Sequence, residues 1–562
     1  MSGIMATLSV MMSMILCVLC GSAWGASLSE QVGGHIRQRV EMSEISSRDT
    51  HGGNALFKSA MLPEFYRMRE FHPVWSSDNG LSSQAESFLL VIQRAGCEGL
   101  KQEDYGPNHI QSMLTELRTN LAVEEFFDAG KLADLDILLT DALLRYTSHT
   151  VGGRVDHRIK YPGWVVHRNS GGDIKEIAKS VIDSRNIEES LSNLLPRHVD
   201  YEKLRRELVR YEGIAKSGGW SVIVPGPKME KGSRDKRVKI LRQRLIASGD
   251  LNAATERESD VFDLTLEDAV RRFQKRHGLK ADGKISRSTL AVLNIPVETR
   301  IRQIALNMDR LRWLPVSAEK NYILVNIADF TLQVIKKEQV VLSMKIIVGK
   351  TGQRSCLLSR KMTYLDLNPY WNVPDSIATK EILPQVKKNP EYLVKKNIKV
   401  VEYWGNQAKE IDHTTVNWSR MRGSKLKYNF RQDPGPMNPL GRIKFMFPNE
   451  CEIYLHDTPE RHLFGRSRRD FSHGCIRIEK PIDLAVYLLQ NKESWTQKKI
   501  LTEIRKGKQQ VVMLPEPIDV FIFYRTAWVE QDGSLQFRDD IYGIDEIPYE
   551  VSSCEAVYQR TQ

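Results

Sequence analysis

The stretch Phe471-Ser472-His473-Gly474-Cys475-Ile476-Arg477 sets a cysteine directly behind a glycine, and His456 lies nineteen positions upstream in Tyr454-Leu455-His456-Asp457-Thr458-Pro459. A thiol attacks readily only as the thiolate, so it needs a base to remove its proton. A histidine that folds back beside the cysteine supplies that base. Successive backbone N–H groups around Gly474 suit the stabilisation of an oxyanion. The pattern therefore predicts nucleophilic cysteine chemistry.

This segment resembles the signature of the L,D-transpeptidases of the YkuD type, the cysteine enzymes that cross-link peptidoglycan. In that family a histidine precedes a Ser/Thr-His-Gly-Cys block by about this interval. The resemblance implies that Cys475 is the nucleophile and His456 the base. It also implies a thioester with a donor stem tetrapeptide, which a second stem peptide attacks to form a 3→3 cross-link. His473, Gly474 and Asp457 would hold the oxyanion or orient His456, and the sequence leaves open whether Asp457 or a nearby backbone carbonyl does the orienting.

Four further residues are candidates for substrate binding: Arg477, Ser472, Tyr454 and Trp371. The guanidinium of Arg477 offers bidentate geometry to a substrate carboxylate. Its alternative is a structural salt bridge, for example with Glu479. Tyr454 and Trp371 can line a pocket, although aromatic residues beside strands more often belong to a core.

Two other interpretations of Cys475 stay open at this point. It can be an ordinary buried thiol, as most single cysteines are. His456, His462, His473 and Cys475 can also form a zinc site, although His473 and Cys475 are too close in sequence for the usual ligand pairs. No phosphate-binding loop, dinucleotide glycine pattern or clear metal-ligand set is evident, so no cofactor is predicted.

With 562 residues, 41 % of them hydrophobic and 27 % charged, the chain is expected to form three or four folded domains. Leu8 to Leu19 is apolar and small residues follow through Ala26, which predicts a signal peptide over residues 1–25 and a periplasmic location. No lysine or arginine precedes the apolar block, so an uncleaved anchor associated with the inner membrane is the alternative.

Seven cysteines occur, and two of them belong to the predicted leader. The five others are Cys97, Cys356, Cys451, Cys475 and Cys554. An odd number in an exported chain leaves at least one thiol unpaired, and Cys475 is the best candidate for it. The sequence does not indicate how the others pair.

The formal net charge of +11 favours anionic partners. For an exported protein these are the carboxylates of peptidoglycan stem peptides, donor and acceptor, or anionic lipid, rather than nucleic acid. Proteins of cell-wall synthesis are further candidate partners. A basic surface without a dedicated partner is the alternative.

The N-terminal half is mainly helical. Residues 26–55 are polar without sustained periodicity and are predicted to be a linker. Residues 56–230 are predicted to form a helical domain, with a buried stripe that ends at Gly152-Gly153. Phe71-His72-Pro73-Val74-Trp75 and the segment Asp136–Tyr146 resemble the scaffold domain of the large Gram-negative L,D-transpeptidases. Nothing in this region looks catalytic.

A second unit is predicted over residues 235–296. Leu266, Ala269, Val270 and Phe273 follow the spacing of a buried helical face, and the polar residues from Arg271 to Arg276 are expected on the solvated face. Together with Asp282-Gly283 and a helix capped by Ser286, the segment resembles the three-helix peptidoglycan-binding module. A degenerate module that only packs on its neighbours is the alternative.

Residues 297–320 are predicted to be a helix, and the resemblance to the family implies that this helix rejoins the scaffold. Short strands with tight turns then indicate an antiparallel β core, which gives a multidomain α+β fold with a mainly β catalytic domain over residues 321–515. The insertion 375–430 is too long for a simple connection and is expected to be a mobile cap, as in the family, or a surface subdomain. The role of residues 516–562 is left open.

The nearest rival function is an L,D-carboxypeptidase, which would use the same thioester but transfer it to water. A cell-wall-binding protein with an inactive enzyme domain is the rival from another class. The intact pair of Cys475 and His456 argues against the second rival.

Overall fold

The computed structural model describes residues 26–49, 58–124, 127–155, 172–252, 254, 258–313, 321–403, 408–421, 427–546 and 549–554. The predicted leader lies outside these residues. Among the helices of the described ranges, none is both long and apolar enough to cross a membrane. The chain divides into two compact units, the first formed by Met1–Gly152, Gly171–Leu195 and Ser552–Gln562, and the second by Gly153–Ser170 and Pro196–Val551.

The first unit is helical around one apolar core, as predicted, apart from a small hairpin. The buried stripe of its longest helix includes Leu132, Leu139 and Tyr146. The helices are α1 (Leu28–Asp49), α2 (Leu62–Met68), α3 (Ser83–Gln93), α4 (Pro107–Glu124), α5 (Ala129–Gly152), α6 (Ile174–Ile182) and α7 (Ile187–Ser192), and the hairpin strands are β1 (Ser76–Ser77) and β2 (Gly80–Leu81).

Asp136 on α5 joins the two sequence segments that resemble the scaffold domain. Its buried carboxylate accepts hydrogen bonds from the backbone N–H groups of Val74 and Trp75 and from the hydroxyl of Tyr66, at 2.7–2.9 Å. The Trp75 indole N–H donates to Thr140 one turn further along α5 at 3.0 Å. Since every donor is satisfied inside the core, this cluster has a structural role.

The predicted linker is wrong for most of its length, because Leu28–Asp49 forms α1. Val32, Ile36 and Val40 are fully buried and recur every fourth residue. One apolar residue per turn makes a narrow stripe among polar neighbours, and this is why the segment appears aperiodic in sequence.

The second unit begins with α8 (Val199–Lys216), so the helical region predicted over residues 56–230 is divided between the two units. The predicted module follows as three helices around a common core, α9 (Arg237–Ala247), α10 (Leu264–Arg276) and α11 (Arg287–Leu293). Ser286 caps α11 as predicted, since its side chain accepts from the N–H of Thr289. α12 (Val297–Leu311) comes next, where the return helix was expected.

Gln274 and Arg276 on α10 are buried, which corrects the solvated face predicted for them. Gln274 donates to the carbonyl of Lys284 at 2.9 Å, and Arg276 pairs with Asp250. Polar side chains that find such partners can be buried at little cost, and hydrophobic spacing alone does not show this.

The region predicted to be the catalytic domain is a mixed sheet of nine strands in the order β13-β5-β14-β12-β11-β6-β15-β3-β4. β5 also pairs with β4, so the sheet closes on itself around the core. Most pairs are antiparallel, as predicted, but β12–β14, β13–β5 and β15–β3 are parallel. The strands are β3 (Tyr322–Asn326), β4 (Thr331–Lys336), β5 (Gln339–Gly349), β6 (Leu358–Leu367), β11 (Ile443–Met446), β12 (Leu455–His456), β13 (Asp470–Ser472), β14 (Ile476–Ile478) and β15 (Gln510–Phe523).

The cap is a separate subdomain of the catalytic region, with its own apolar cluster and a small sheet in the order β7-β10-β8-β9. Its first helical stretch includes the π-helix Ala378–Ile382. The strands are β7 (Trp371–Asn372), β8 (Ile398–Val401), β9 (Glu410–Ile411) and β10 (Asn429–Gln432), and the helices are α13 (Asp375–Ile377), α14 (Leu383–Lys388) and α15 (Glu391–Lys395).

The C-terminal segment belongs to the fold. After α16 (Pro481–Leu489) and α17 (Gln497–Arg505), β15 runs through the domain boundary predicted at residue 515. The hairpin of β16 (Ala527–Val529) and β17 (Leu535–Phe537) follows. Phe537 stacks on His277 of the module with ring centroids 5.5 Å apart, so the tail packs on the module.

Two disulfides join distant parts of the chain. Cys97 pairs with Cys554 within the first unit, and Cys356 pairs with Cys451 within the second. Cys475 is the free cysteine of the described residues, so the prediction of an unpaired thiol at this position is confirmed.

Candidate active site

The parallel pairing of β12 with β14 brings the two segments of the sequence motif together. Leu455 pairs with Ile476 and His456 with Arg477, and the N–H of Ile476 donates to the carbonyl of Tyr454 at 3.1 Å. Cross-strand partners share a face of the sheet, and side chains alternate along each strand. The buried side chains of Leu455 and Ile476 therefore face the core, while His456 and Arg477 lie on the opposite face.

His456 is held by the backbone carbonyl of its neighbour. Its Nδ1 lies 2.6 Å from the carbonyl oxygen of Asp457, and since a carbonyl only accepts, Nδ1 carries the proton. The neutral ring then keeps its basic lone pair on Nε2. Burial, helped by the positive charge of Arg477, lowers the pKa of His456 to about 3, so the imidazole is neutral at physiological pH.

Cys475 is surrounded by groups that affect its ionisation in opposite directions. Burial raises the pKa of its thiol above the ordinary value, whereas hydrogen bonds from the backbone and the hydroxyl of Tyr454 lower it. The charges of Lys444 and Arg477 also lower it. Burial is the largest cause for both Cys475 and His456, and it favours a neutral thiol and a neutral imidazole over a thiolate–imidazolium pair.

Ser472 organises the turn that carries Cys475. Its buried hydroxyl donates to the carbonyl of Cys475 at 2.5 Å and accepts from the N–H of Gly474 at 3.2 Å. Gly474 has φ +119°, where an L side chain is strained. The hydroxyl uses its proton and one lone pair inside the turn, and the residue is buried, so Ser472 supports the turn; its predicted substrate contact stays a prediction.

The backbone donors of this turn are not equivalent. The N–H of Gly474 donates to the hydroxyl of Ser472 at 3.2 Å, so it is less available to an oxyanion. The N–H of Cys475 donates to none of the residues that the structure describes. Cys475 is therefore the better backbone donor for an oxyanion.

His473 points to the cap and not into the sheet. Its Nε2 lies 2.5 Å from Oε1 of Glu381 in the π-helix, and the two form an ion pair when the imidazole is protonated. The turn that carries the thiol is thus connected to the cap by one polar contact.

The remaining charged candidates have protein partners. The carboxylate of Asp457 accepts from the N–H of Arg442 at 3.0 Å and pairs with Arg461 at 3.2 Å, while its carbonyl holds His456. Arg477 pairs with Glu460. The salt bridge suggested with Glu479 is therefore wrong, since that carboxylate accepts from the N–H of Lys345.

The two aromatic candidates lie in different places. Tyr454 lies against His456, with ring centroids 5.7 Å apart, and hydrogen-bonds Cys475. Trp371 packs partly buried against the apolar cluster of the cap. Of the two, only Tyr454 belongs to the immediate surroundings of the thiol.

Three residues around the thiol escaped the sequence reasoning. The hydroxyl of Ser355 donates to the carbonyl of Gly474 at 2.6 Å, and that of Tyr542 donates to the carbonyl of Gly349 at 2.6 Å and accepts from the N–H of Ser355. Lys444 lies over the Tyr454 ring. Only the register of strands and loops far apart in sequence places these residues here, so no local signal marks them.

Residues 320–508 match the YkuD model, described as an L,D-transpeptidase catalytic domain. The chain contains an L,D-transpeptidase catalytic domain. Residues 60–208 match a scaffold domain, and residues 234–293 match a domain described as a "Putative peptidoglycan binding domain". The α+β fold class, with a β-rich catalytic domain and helical scaffold and module, is confirmed.

A curated relative from Haemophilus influenzae carries the name "Putative L,D-transpeptidase" and is 34 % identical over 249 residues. The match covers 44 % of this chain and 49 % of the relative, so the chain spans about half the length of that protein.

Two solved structures are also similar, each covering 53 % of this chain and 100 % of the other. One is an L,D-transpeptidase fragment from Xylanimonas cellulosilytica, at 14 % identity and a TM-score of 0.16. The other is a fused Zn-dependent amidase/peptidase/peptidoglycan-binding protein from Clostridium acetobutylicum, at 12 % identity and a TM-score of 0.13. Scores this low carry no argument about fold or function.

Proposed function

We propose that this L,D-transpeptidase domain forms 3→3 cross-links between peptidoglycan stem peptides through a thioester on Cys475. The observation that supports this most directly is the pairing of β12 with β14, which brings the segment of His456 beside that of the only free cysteine among the described residues.

In the first half-reaction, Nε2 of His456 takes the proton of the Cys475 thiol as Sγ attacks the carbonyl carbon that follows the L-centre of a donor tetrapeptide. The N–H of Cys475 donates to the oxyanion. The intermediate collapses as the C–N bond breaks, His456 returns its proton to the departing amine, and D-alanine leaves a thioester. Because the pKa of His456 is low, its imidazolium gives up this proton readily.

In the second half-reaction, the side-chain amine of an acceptor stem peptide attacks the thioester carbonyl. His456 removes a proton from the attacking nitrogen, the C–S bond breaks, and the thiolate of Cys475 takes the proton back. The products are the cross-linked dimer and the enzyme in its starting state, and no cofactor is required.

The same residues would support an L,D-carboxypeptidase if water replaced the acceptor amine. The cap favours transfer to an amine, because Glu381 contacts His473 directly beside the thiol and a cap in this place limits the access of water.

Substrate recognition is proposed for two parts of the chain. Arg477 lies on the face of His456 and would pair with a substrate carboxylate in exchange for the exposed Glu460, while Tyr454 would border the acyl group. The three-helix module would hold the protein on peptidoglycan. The resemblance of these domains to peptidoglycan-acting domains supports an action at the cell wall, and the apolar block within residues 1–25 supports export to the periplasm.

The test is incubation of the purified protein with disaccharide-tetrapeptide and identification of the products by mass spectrometry. We expect a cross-linked dimer with loss of D-alanine, and none with Cys475→Ala. A tripeptide product without dimer would indicate the carboxypeptidase, and cross-linking by the Cys475→Ala variant would contradict the proposal.

A further inference from the structure

A row of four polar residues crosses the outer face of the sheet at the active site. In the strand register, Asp366 on β6 lies opposite Lys444 on β11, and Lys444 lies opposite His456 on β12. His456 in turn lies opposite Arg477 on β14. Cross-strand partners project to the same face, so all four side chains lie on one side. The row places Lys444 directly beside the proposed base.

Lys444 has an unusual environment for a lysine. Its side chain is half-buried, and its Nζ lies 3.8 Å from the centroid of the Tyr454 ring, within the range of a cation–π interaction. Among the residues that the structure describes, no carboxylate pairs with Lys444 within 4.0 Å. Its charge interacts instead with the carboxylate of Asp366 and with Cys475.

The carboxylate of Asp366 favours the protonated, positively charged form of Lys444. The carboxylate is buried and accepts from Gln509 at 2.7 Å through Oδ2, while Oδ1 makes no hydrogen bond to any described residue. Burial lowers the pKa of Lys444, and the negative charge of Asp366 opposes this shift. A half-buried lysine whose pKa is shifted and which lies beside a reactive site is a candidate for a functional role.

We propose that Lys444 is a positioning residue, which holds Tyr454 against Cys475 and stabilises the negative charge on Cys475 as its proton leaves. The inference rests on the proposed function and goes beyond it, since no role for Lys444 follows from the sequence motif.

The positive charges of Arg477 and Lys444 lower the pKa of both Cys475 and His456. Arg477 and Lys444 both favour a thiolate at Cys475 and disfavour an imidazolium at His456. A protonated His456 would thus be a strong acid towards the leaving amine, while the thiolate would remain accessible. Tyr454 supplies the hydroxyl and backbone N–H that hydrogen-bond the sulfur, and the ammonium over its ring keeps it in place.

The test is the rate at which iodoacetamide alkylates Cys475 as a function of pH, followed by mass spectrometry of the peptide that contains it, in the full chain. Lys444→Met keeps the length and apolar packing but removes the charge. For Lys444→Met we expect the pH at which the alkylation rate is half-maximal, the midpoint, to rise by about one pH unit. Alkylation would then be about tenfold slower at a fixed pH below the midpoint. Lys444→Arg keeps the charge and can stack on Tyr454, so it should retain the original midpoint.

Lys361→Met is the matched control. Lys361 lies on β6 of the same sheet, but its ammonium is exposed and pairs with Asp519 at 2.8 Å, so its loss should leave the midpoint unchanged. Lys444→Gln serves as a second neutral variant if Lys444→Met loses its near-ultraviolet circular dichroism.

An unchanged midpoint in a folded neutral variant would overturn the proposal. So would an equal shift in Lys444→Arg or Lys361→Met, because the effect would then not depend on the charge at this position. Alkylation requires no peptide substrate. If the wild-type protein shows the expected profile but forms no acyl-enzyme, the proposed function fails while the role of Lys444 is still tested.

Discussion

Ser472→Ala is expected to weaken both the stability of the catalytic domain and the reactivity of Cys475. Ser472 is 2 % exposed, and its hydroxyl accepts from the N–H of Gly474 and donates to the carbonyl of Cys475 within the turn. Removal of the hydroxyl leaves both backbone groups without this hydrogen-bond partner. A buried polar group left without a partner costs about 1–3 kcal/mol.

Gly474 is buried, so its N–H would stay unsatisfied, whereas Cys475 is less buried and we expect its carbonyl to lose less. We therefore expect a net loss of about 2 kcal/mol in the free energy of unfolding. The turn would also relax, since the φ of +119° at Gly474 would no longer be held by Ser472. Acylation by a tetrapeptide donor should slow about tenfold or more, as expected when a reacting group loses its alignment.

The assay combines urea unfolding of the catalytic domain with acylation kinetics by intact-protein mass spectrometry. Ser472→Thr keeps the hydroxyl and should behave like the wild type, and Ser467→Ala removes an exposed hydroxyl nearby as a control. If Ser472→Ala lost the expected stability but acylated at the wild-type rate, the turn would not depend on Ser472 for its catalytic geometry. If it lost neither, the hydrogen-bond argument itself would be refuted.

Three further predictions concern pH, the cap and a disulfide. Because burial raises the pKa of Cys475, its alkylation should increase with pH through a midpoint above the ordinary value of about 8.5. With His456 neutral down to about pH 3, no inflection from it should occur between about pH 5 and 7, and an inflection there would contradict the neutral resting pair. Glu381→Gln should accelerate hydrogen exchange in the cap by about two- to fivefold, because a partly exposed ion pair contributes at most about 1 kcal/mol, and unchanged exchange would show that the contact does not hold the cap. Replacing Cys356 and Cys451 by serine should lower the free energy of unfolding by about 4.7 kcal/mol for a separation of 95 residues, as measured by urea unfolding, and a loss below about 1 kcal/mol would contradict the expected constraint.

The sequence predicted those features that depend on local pattern. The stripe on α5 and the capped helix α11 are visible because their periodicity and capping chemistry lie within a few residues. The proximity of the Cys475 and His456 segments was predictable for another reason, since the motif itself encodes a thiol, a turn and an upstream base. Their side-chain roles remain predictions.

The features that escaped prediction depend on register and long-range packing. The position of Lys444 opposite His456 and Asp366 follows only from the alignment of β11 with β12 and β6, which the sequence does not show. β15 continues past the domain boundary predicted at residue 515, although proline removes a hydrogen-bond donor from a ladder. The irregular pairing between Met513 and Ile518 accommodates Pro515 and Pro517 and lets the strand continue.

The burial of polar side chains could not be predicted from the sequence either. Gln274 and Arg276 have the composition of a solvated face, and their burial becomes intelligible only once Lys284 and Asp250 are seen as partners. The pairing of Cys97 with Cys554 links residues 457 positions apart, which no local pattern can indicate.

The acyl-enzyme is the most direct test of the central claim. Intact-protein mass spectrometry after incubation with a tetrapeptide donor should show one adduct of the donor minus D-alanine, and fragmentation should locate it on Cys475. The adduct should disappear on addition of an acceptor amine and should be absent in Cys475→Ala. Turnover of the donor without an adduct on Cys475, or an adduct that persists in the Cys475→Ala variant, would contradict the account.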